Sequence, residues 1–312
     1  MDWSSVVPWM LVTQILISSV RLATPMVIAA LGEIFAERAG VLNLGVEGIM
    51  LFSGFVGFSA AYQAQNIWLG ILSGLVVGTL AGLLFAFLTV TLRSNQVVTG
   101  LSMMILGSGM SIYFYRLEFK TALFIPRIKT FSSIAIPALS EIPVIGPIFF
   151  NQSPFTYLMY ILVIVTFVIL YRMPFGLRIS AVGESPQAAD SLGVNVSLVR
   201  YICIVIGGAL AGLGGVFFPL AELGAYADTM IGGRGFIALA LVIFGRWHPV
   251  WTLAGGLLFG CIDALQNRLQ TLGSPIPSNF LLMTPYILTI IVLLLGRNRG
   301  APSALVVPYS RE

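Results

Sequence analysis

The chain has 312 residues, 58% of them hydrophobic and 9% charged, with a mean hydropathy of +0.97. Soluble globular domains run nearer a quarter charged, so this composition excludes that class and indicates an all-α, polytopic integral membrane protein. The net charge of +4 gathers into no basic patch, because the Arg residues stand singly at the ends of apolar runs, and nucleic acid is thereby excluded as a partner.

The first apolar run follows Asp2 and has no Lys or Arg before Arg21, so it lacks the basic start of a cleavable leader and is expected to be retained. At about 20 apolar residues per crossing, spans are expected at 3–21 or 9–31, 45–63, 67–92, 96–115, 153–172, 198–220, 235–246, 249–267 and 280–296. That makes about eight to ten membrane helices in one transmembrane domain over 1–312. The ambiguity at the start comes from Arg21 and Thr24-Pro25, which either interrupt one long helix or divide two spans. An Arg at the centre of a membrane helix costs about 2.5–3.5 kcal/mol, so Arg21 is expected near an interface or facing the bundle interior.

Residues 32–48, GEIFAERAGVLNLGVEG, set Glu33, Glu37, Arg38, Asn43 and Glu47 between two membrane-length runs. Two readings stand side by side: a cytoplasmic turn with Glu37 and Arg38 solvated, or a broken helix with Asn43 and Glu47 pointing into a pathway. In the third span Gly70, Gly74, Gly78 and Gly82 recur every four residues, leaving one helix face bare for close approach by a neighbour. Gly208 with Gly212 and Gly256 with Gly260 repeat the device. Phe52, Phe55 and Phe58, and Asn95 with Gln96, could supply flat and polar contacts for a cargo. Phe at this spacing also suits packing, and Ser94-Asn95 also suits a helix start.

Between Arg172 and Arg200 lies the polar stretch MPFGLRISAVGESPQAADSLGVNVSLVR. Ser185 suits an N-cap, Pro186 the first helical position, Gln187 to Leu192 the body, and Gly193 a left-handed stop. Such a helix is about 12 Å long and unstable alone, so it needs a docking partner. If this stretch is cytoplasmic, Arg38, Arg93, Arg246, Arg297, Arg299 and Arg311 fall on the same side. Arg116, Lys120, Arg127 and Lys129 then lie in an extracellular loop of about 116–152, with Arg234 and Arg268 in shorter outer turns. Segment 235–246 is short for a crossing and, after Gly232, Gly233 and Gly235, reads as a half-helix supported by protein. Cys203 and Cys261 sit inside apolar spans away from His248, the only histidine, so neither a disulfide nor a metal site is expected.

Three runs carry a family resemblance: ATPMVIAALGEIFAERAGVLNLGVEGIM, then GLRISAVGESPQAADSLGVNVSLVRYICIVIGGALAGLGGVFF, then RGFIALALVIFGRWHPVW. Together they resemble the permease subunits of bacterial ABC importers of the branched-chain amino acid and simple-sugar type, over roughly residues 20 to 300. The wording is most similar to the smaller permease of nucleoside importers. The resemblance implies a coupling loop at about 173–197, in which Gly183, Glu184, Ser185, Gln187, Ala188, Ala189, Leu192 and Gly193 dock on a separate ATPase. It implies a bacterial inner-membrane location, a second, different permease subunit and an extracytoplasmic lipoprotein receptor, with ATP and Mg held by the ATPase and no cofactor in this chain. Asn43, Glu47 and Gln96 are the residues expected to line the substrate pathway, and His248, in the turn from Gly245 to Pro249, is expected to be structural.

No motor or enzyme motif accompanies these signals. Lys120 and Lys129 are preceded by Phe119 and Ile128 rather than by a phosphate-cradling glycine loop, and neither HExxH nor GxSxG occurs. The alternative is an ion-coupled secondary transporter, for which Glu33, Glu47, Glu222 and Asp263 would be the candidate ion carriers.

Overall fold

The computed structural model describes residues 3–120, 125–271, 278–295 and 300–310. Its first helix, α1 (Trp3–Arg38), runs 36 residues without a break. Neither Arg21 nor Pro25 divides it, so both proposed boundaries for the first span give way to one helix. Pro25 is tolerated because its turn is packed on every side: Ala23, Thr24 and Met26 are fully buried, and Thr24 Oγ1 donates to the Val20 carbonyl at 2.9 Å. Arg21 instead reaches the outer end and pairs with Glu222 at 3.4 Å, its side chain 41% exposed.

The remaining helices follow in order as α2 (Val46–Ala64), α3 (Ile67–Ala86), α4 (Gln96–Glu118), α5 (Ile145–Phe149) and α6 (Pro154–Arg172). Then come α7 (Pro174–Glu184), α8 (Pro186–Ser191), α9 (Val196–Phe217), α10 (Arg234–Phe244), α11 (Pro249–Thr271) and α12 (Ser278–Leu295). α3 and α9 each close with a π turn, Phe87–Thr91 and Phe218–Glu222. The outer segment before α6 holds one short antiparallel pairing, Ile134 with Gln152 and Ala135 with Asn151. Five helical stretches among the described residues are long and apolar enough to cross a membrane: Leu11–Arg38, Ile67–Thr91, Gln96–Glu118, Pro154–Arg172 and Val196–Glu222. The all-α, polytopic class follows directly.

Polar residues mark where spans begin. Asn66 accepts from Trp68 N at 2.9 Å, Asn95 from Val97 N and Val98 N at 3.0 and 3.1 Å, and Asn195 from Leu198 N at 2.9 Å. Asn95 is thus a helix cap. Glycine decides how the spans pack. A Cβ on Gly78 would meet Gly208 and Gly212 of α9, and one on Gly212 would meet Gly74 and Gly78 of α3, so bare faces of the two helices lie against each other. Gly260 does the same against Ser19 and Ala23 of α1. The glycine repeats therefore serve packing within the subunit.

Two ends are distinguishable. At one, Arg38 donates to the Tyr171 hydroxyl and Arg200 Nε to the Ala39 carbonyl, while the segment 300–310 lies across them. At the other, Ile128 N donates to the Gly224 carbonyl and Trp68 packs on Phe131 at 5.5 Å. The basic residues Arg38, Arg172, Arg178, Arg200 and Arg246 thus gather opposite Arg127 and Lys129, as the orientation requires. Arg297, Arg299 and Arg311 lie outside the described residues. Arg234 departs from the expected outer turn: it starts the half-helix α10 and pairs with Asp263 at 3.0 Å.

Candidate functional site

The polar stretch between α6 and α9 folds into two helices rather than one. Pro174 opens α7 at its first position, where a proline's fixed φ and missing N–H suit a helix start. α8 forms as its end signals predict: Ser185 is extended, its Oγ accepts from Ala188 N at 3.4 Å, and Gly193 stops the helix at φ +83°. Gln187 and Ala188 are exposed, Ala189 is buried, and Leu192 is 84% exposed. Leu192 thus stands as a bare apolar side chain on a polar loop at the membrane face.

Gly183 and Glu184 point elsewhere. Gly183 is buried against the Arg38 backbone with no room for a Cβ, and its carbonyl accepts from Ala304 N at 2.8 Å. Glu184 accepts from Ser303 Oγ at 2.7 Å. The tail goes on to bind Gly40 through Val306 N at 3.1 Å, and Arg200 Nη1 donates to the Val307 carbonyl at 3.1 Å. The end of α7 is therefore tied by the tail to the end of α1, and α8 projects from that fixed base.

The polar run 32–48 breaks the helix between α1 and α2, as the second of its two expected forms requires. Glu33 and Glu37 are buried at 0% and 1% exposure, so the solvated turn is excluded for Glu37, whose Oε2 accepts from Trp247 Nε1 at 2.6 Å. Asn43 and Glu47 are also buried, but both bind backbone. Asn43 Oδ1 accepts from Gly45 N at 2.9 Å. Glu47 accepts from Gly233 N at 2.8 Å and Gly235 N at 2.7 Å, so its carboxylate caps the half-helix α10 from across the molecule. Gln96 likewise accepts from Leu42 N at 2.9 Å. The three residues assigned to a pathway brace the irregular backbone at 39–45 and 231–235. A chain between two spans offers no local signal for partners 186 residues away.

Around Glu47 a wider polar network closes the start of α10. Arg234 pairs with Asp263, its guanidinium lies 4.9 Å over the Phe218 ring, and the Tyr286 hydroxyl donates to the Gly232 carbonyl at 2.7 Å. At the Arg38 end His248 packs against Tyr171 and Phe167 at 5.1 and 5.7 Å. Burial lowers its pKa, and the nearby Arg38 charge lowers it further, so neutral imidazole is favoured and the ring packs. Among the described residues no three His, Cys, Asp or Glu side chains converge as a metal site, and Cys203 and Cys261 are free thiols.

Comparison with known proteins fits this architecture. The family model for the permease component of branched-chain amino acid transport systems matches residues 15–295. The chain is 38% identical over 298 residues to the guanosine ABC transporter permease protein NupQ of Bacillus subtilis, covering 92% of this chain and 93% of that protein. It is 35% identical to the nucleoside ABC transporter permease protein NupC of Lactococcus lactis, over 96% of this chain and 98% of that one. The D-allose transport system permease protein AlsC of Escherichia coli is 26% identical over 83% of this chain and 76% of its own. With that match and these membrane helices, the chain belongs to the family of branched-chain amino acid transport system permease components and is a multi-pass protein of the inner membrane.

Proposed function

We propose that this chain is one membrane half of an ATP-driven nucleoside importer, driven by separate ATPase subunits through α8. The observation that carries this reading is α8 itself: a capped six-residue helix with Leu192 almost wholly exposed, held on a base anchored to α1. A helix this short needs a partner for support, Leu192 is exposed together with Met173, Leu177 and Leu198 of the same stretch, and the chain has no phosphate-binding loop of its own. ATP and Mg then belong to the partner, and this subunit performs no catalysis. A second, different permease completes the passage and a lipoprotein receptor supplies cargo from outside. Nucleoside cargo rests on the relatives named for guanosine and nucleosides at 38% and 35% identity. The ion-coupled alternative would need free carboxylates in the membrane; Glu47, Glu222 and Asp263 are committed to Gly233 and Gly235, Arg21 and Arg234, which leaves Glu33, fully buried with neither oxygen hydrogen-bonded among the described residues, as its one remaining carrier.

The test is co-purification of this chain with the products of its neighbouring genes. Ala188→Glu and Leu192→Glu are expected to cut ATPase recovery and nucleoside uptake at least tenfold, with this chain still inserted. Full ATPase recovery and uptake in both variants would remove α8 as the coupling element.

A further inference from the structure

Lipid contact demands apolar side chains, so the most exposed membrane helices should be the most apolar. α3 and α6 obey: 28% and 33% of their apolar stretches are buried, and both are more apolar than α4. α4 breaks the rule. It is the least apolar of the five spans and the least buried, at 22% against 72% for α1 and for α9. Its open side carries Ser102 and Gly109 among the apolar residues Val98, Leu101, Ile105, Leu106 and Leu117, and around Gly109 there is open space.

Two adjoining cavities lie along that helix. One, of about 240 Å³, is apolar and lined by Phe52, Met103, Gly107 and Met110 among others. The next, of about 480 Å³, lies toward the cytoplasmic end and brings in Ser94, Asn95, Thr99 and Ser102. Leu84, Met103 and Leu106 line both, so the two form one largely apolar groove with hydroxyl and amide side chains at one end. The second alone falls in the roughly 300–1,000 Å³ range of small-molecule clefts. Ser108 and Ser111 donate to carbonyls of their own helix at 2.8 Å, whereas Ser94, Thr99 and Ser102 form no such bond among the described residues. At the outer mouth Glu118 accepts from Ser59 and Gln63 at 2.7 Å, and Phe114 stands between Phe52 and Tyr113 at 6.4 and 5.3 Å.

We propose that the open face of α4 and the groove beside it are this subunit's half of the cargo passage, taking a nucleoside with its base in the Phe52–Met103–Met110 slot and its ribose hydroxyls on Ser94 and Ser102. The second permease closes the groove. Base stacking and sulfur contacts suit the apolar end, and unpaired hydroxyls suit the sugar. This rests on the importer reading above and moves the cargo contacts away from Asn43, Glu47 and Gln96.

The experiment uses the assembled complex with Cys261→Ser as parent, Cys203 being buried. Single cysteines are placed by Ser102→Cys, Gly109→Cys and, as a lipid-facing control on α6, Ile164→Cys. Each is exposed to a charged, membrane-impermeant thiosulfonate with and without guanosine or uridine, and ATP-driven uptake of both nucleosides by the parent is measured in parallel. The expected result is modification at 102 and 109 at least tenfold faster than at 164, slowed severalfold by whichever nucleoside the parent takes up. Rates at 102 and 109 equal to that at 164 would show a lipid face and overturn the proposal. Fast modification unaffected by a nucleoside that the parent transports would overturn the cargo site and leave the importer standing. A parent that transports neither nucleoside would bring down the nucleoside reading and this half-site together. The open space at Gly109 makes Gly109→Cys the variant least exposed to misfolding.

Discussion

At the scale of single residues, the most consequential side chain is Glu47. Its two oxygens hold Gly233 N and Gly235 N, so one carboxylate satisfies amide groups that open α10 inside the molecule, where water is scarce. Glu47→Ala leaves those amides buried without acceptors, at a cost of about 1–3 kcal/mol for each unsatisfied donor. The expected outcome is a lower melting temperature of the detergent-solubilised subunit, with Glu47→Gln intermediate because the amide keeps one acceptor. Unchanged melting with lost uptake would return Glu47 to the pathway. Trp247 and Glu37 form a comparable tie, reaching from the turn after α10 to the last turn of α1. Here the sequence was half legible. The cost of a charge in an apolar chain marked Glu33, Glu37 and Glu47 as meaningful, but their partners lie on elements far along the chain and are set by packing.

At the scale of elements, legibility followed locality. α8 was readable to within a residue at its end because its determinants, Ser185, Pro186 and Gly193, lie at or beside its ends. The half-helix α10 was readable from its length and preceding glycines. The break at Pro25 was misread, because a proline's effect depends on what surrounds the turn, and α1 is enclosed where the chain alone suggests a boundary. The tail across Gly40, Gly183, Glu184 and Arg200 left no sequence signal, since its bonds run mostly through backbone groups. The glycine repeat in α3 was visible, and the structure supplies its partner, α9. Gly78→Leu therefore forces the Gly208–Gly212 face away, and the expected result is loss of folded protein recovered from the membrane. A leucine at exposed position 109 of α4 would test the passage and leave that packing intact. Normal yield of the Gly78→Leu variant would contradict the α3–α9 contact.

At the scale of the whole molecule, α1 and α9 form the buried centre, α3, α4 and α6 stand around them, and the cytoplasmic end presents α8 on a base braced by the tail. Fold class and family were readable from hydropathy and three ordered motifs. The groove beside α4 was not, because it is defined by which faces remain uncovered, and that depends on the packing of all the other helices. The molecule as a whole exposes the short capped helix α8 at one end and the helix α4 along one side.

The measurement that tests this account most directly is nucleoside uptake into proteoliposomes holding this chain with its neighbouring ATPase, second permease and receptor, with ATP and ion gradients varied independently. The account predicts uptake that requires ATP, survives collapse of every ion gradient and disappears in Leu192→Glu. Uptake by this chain alone, driven by an ion gradient and indifferent to ATP and to Leu192→Glu, would contradict it.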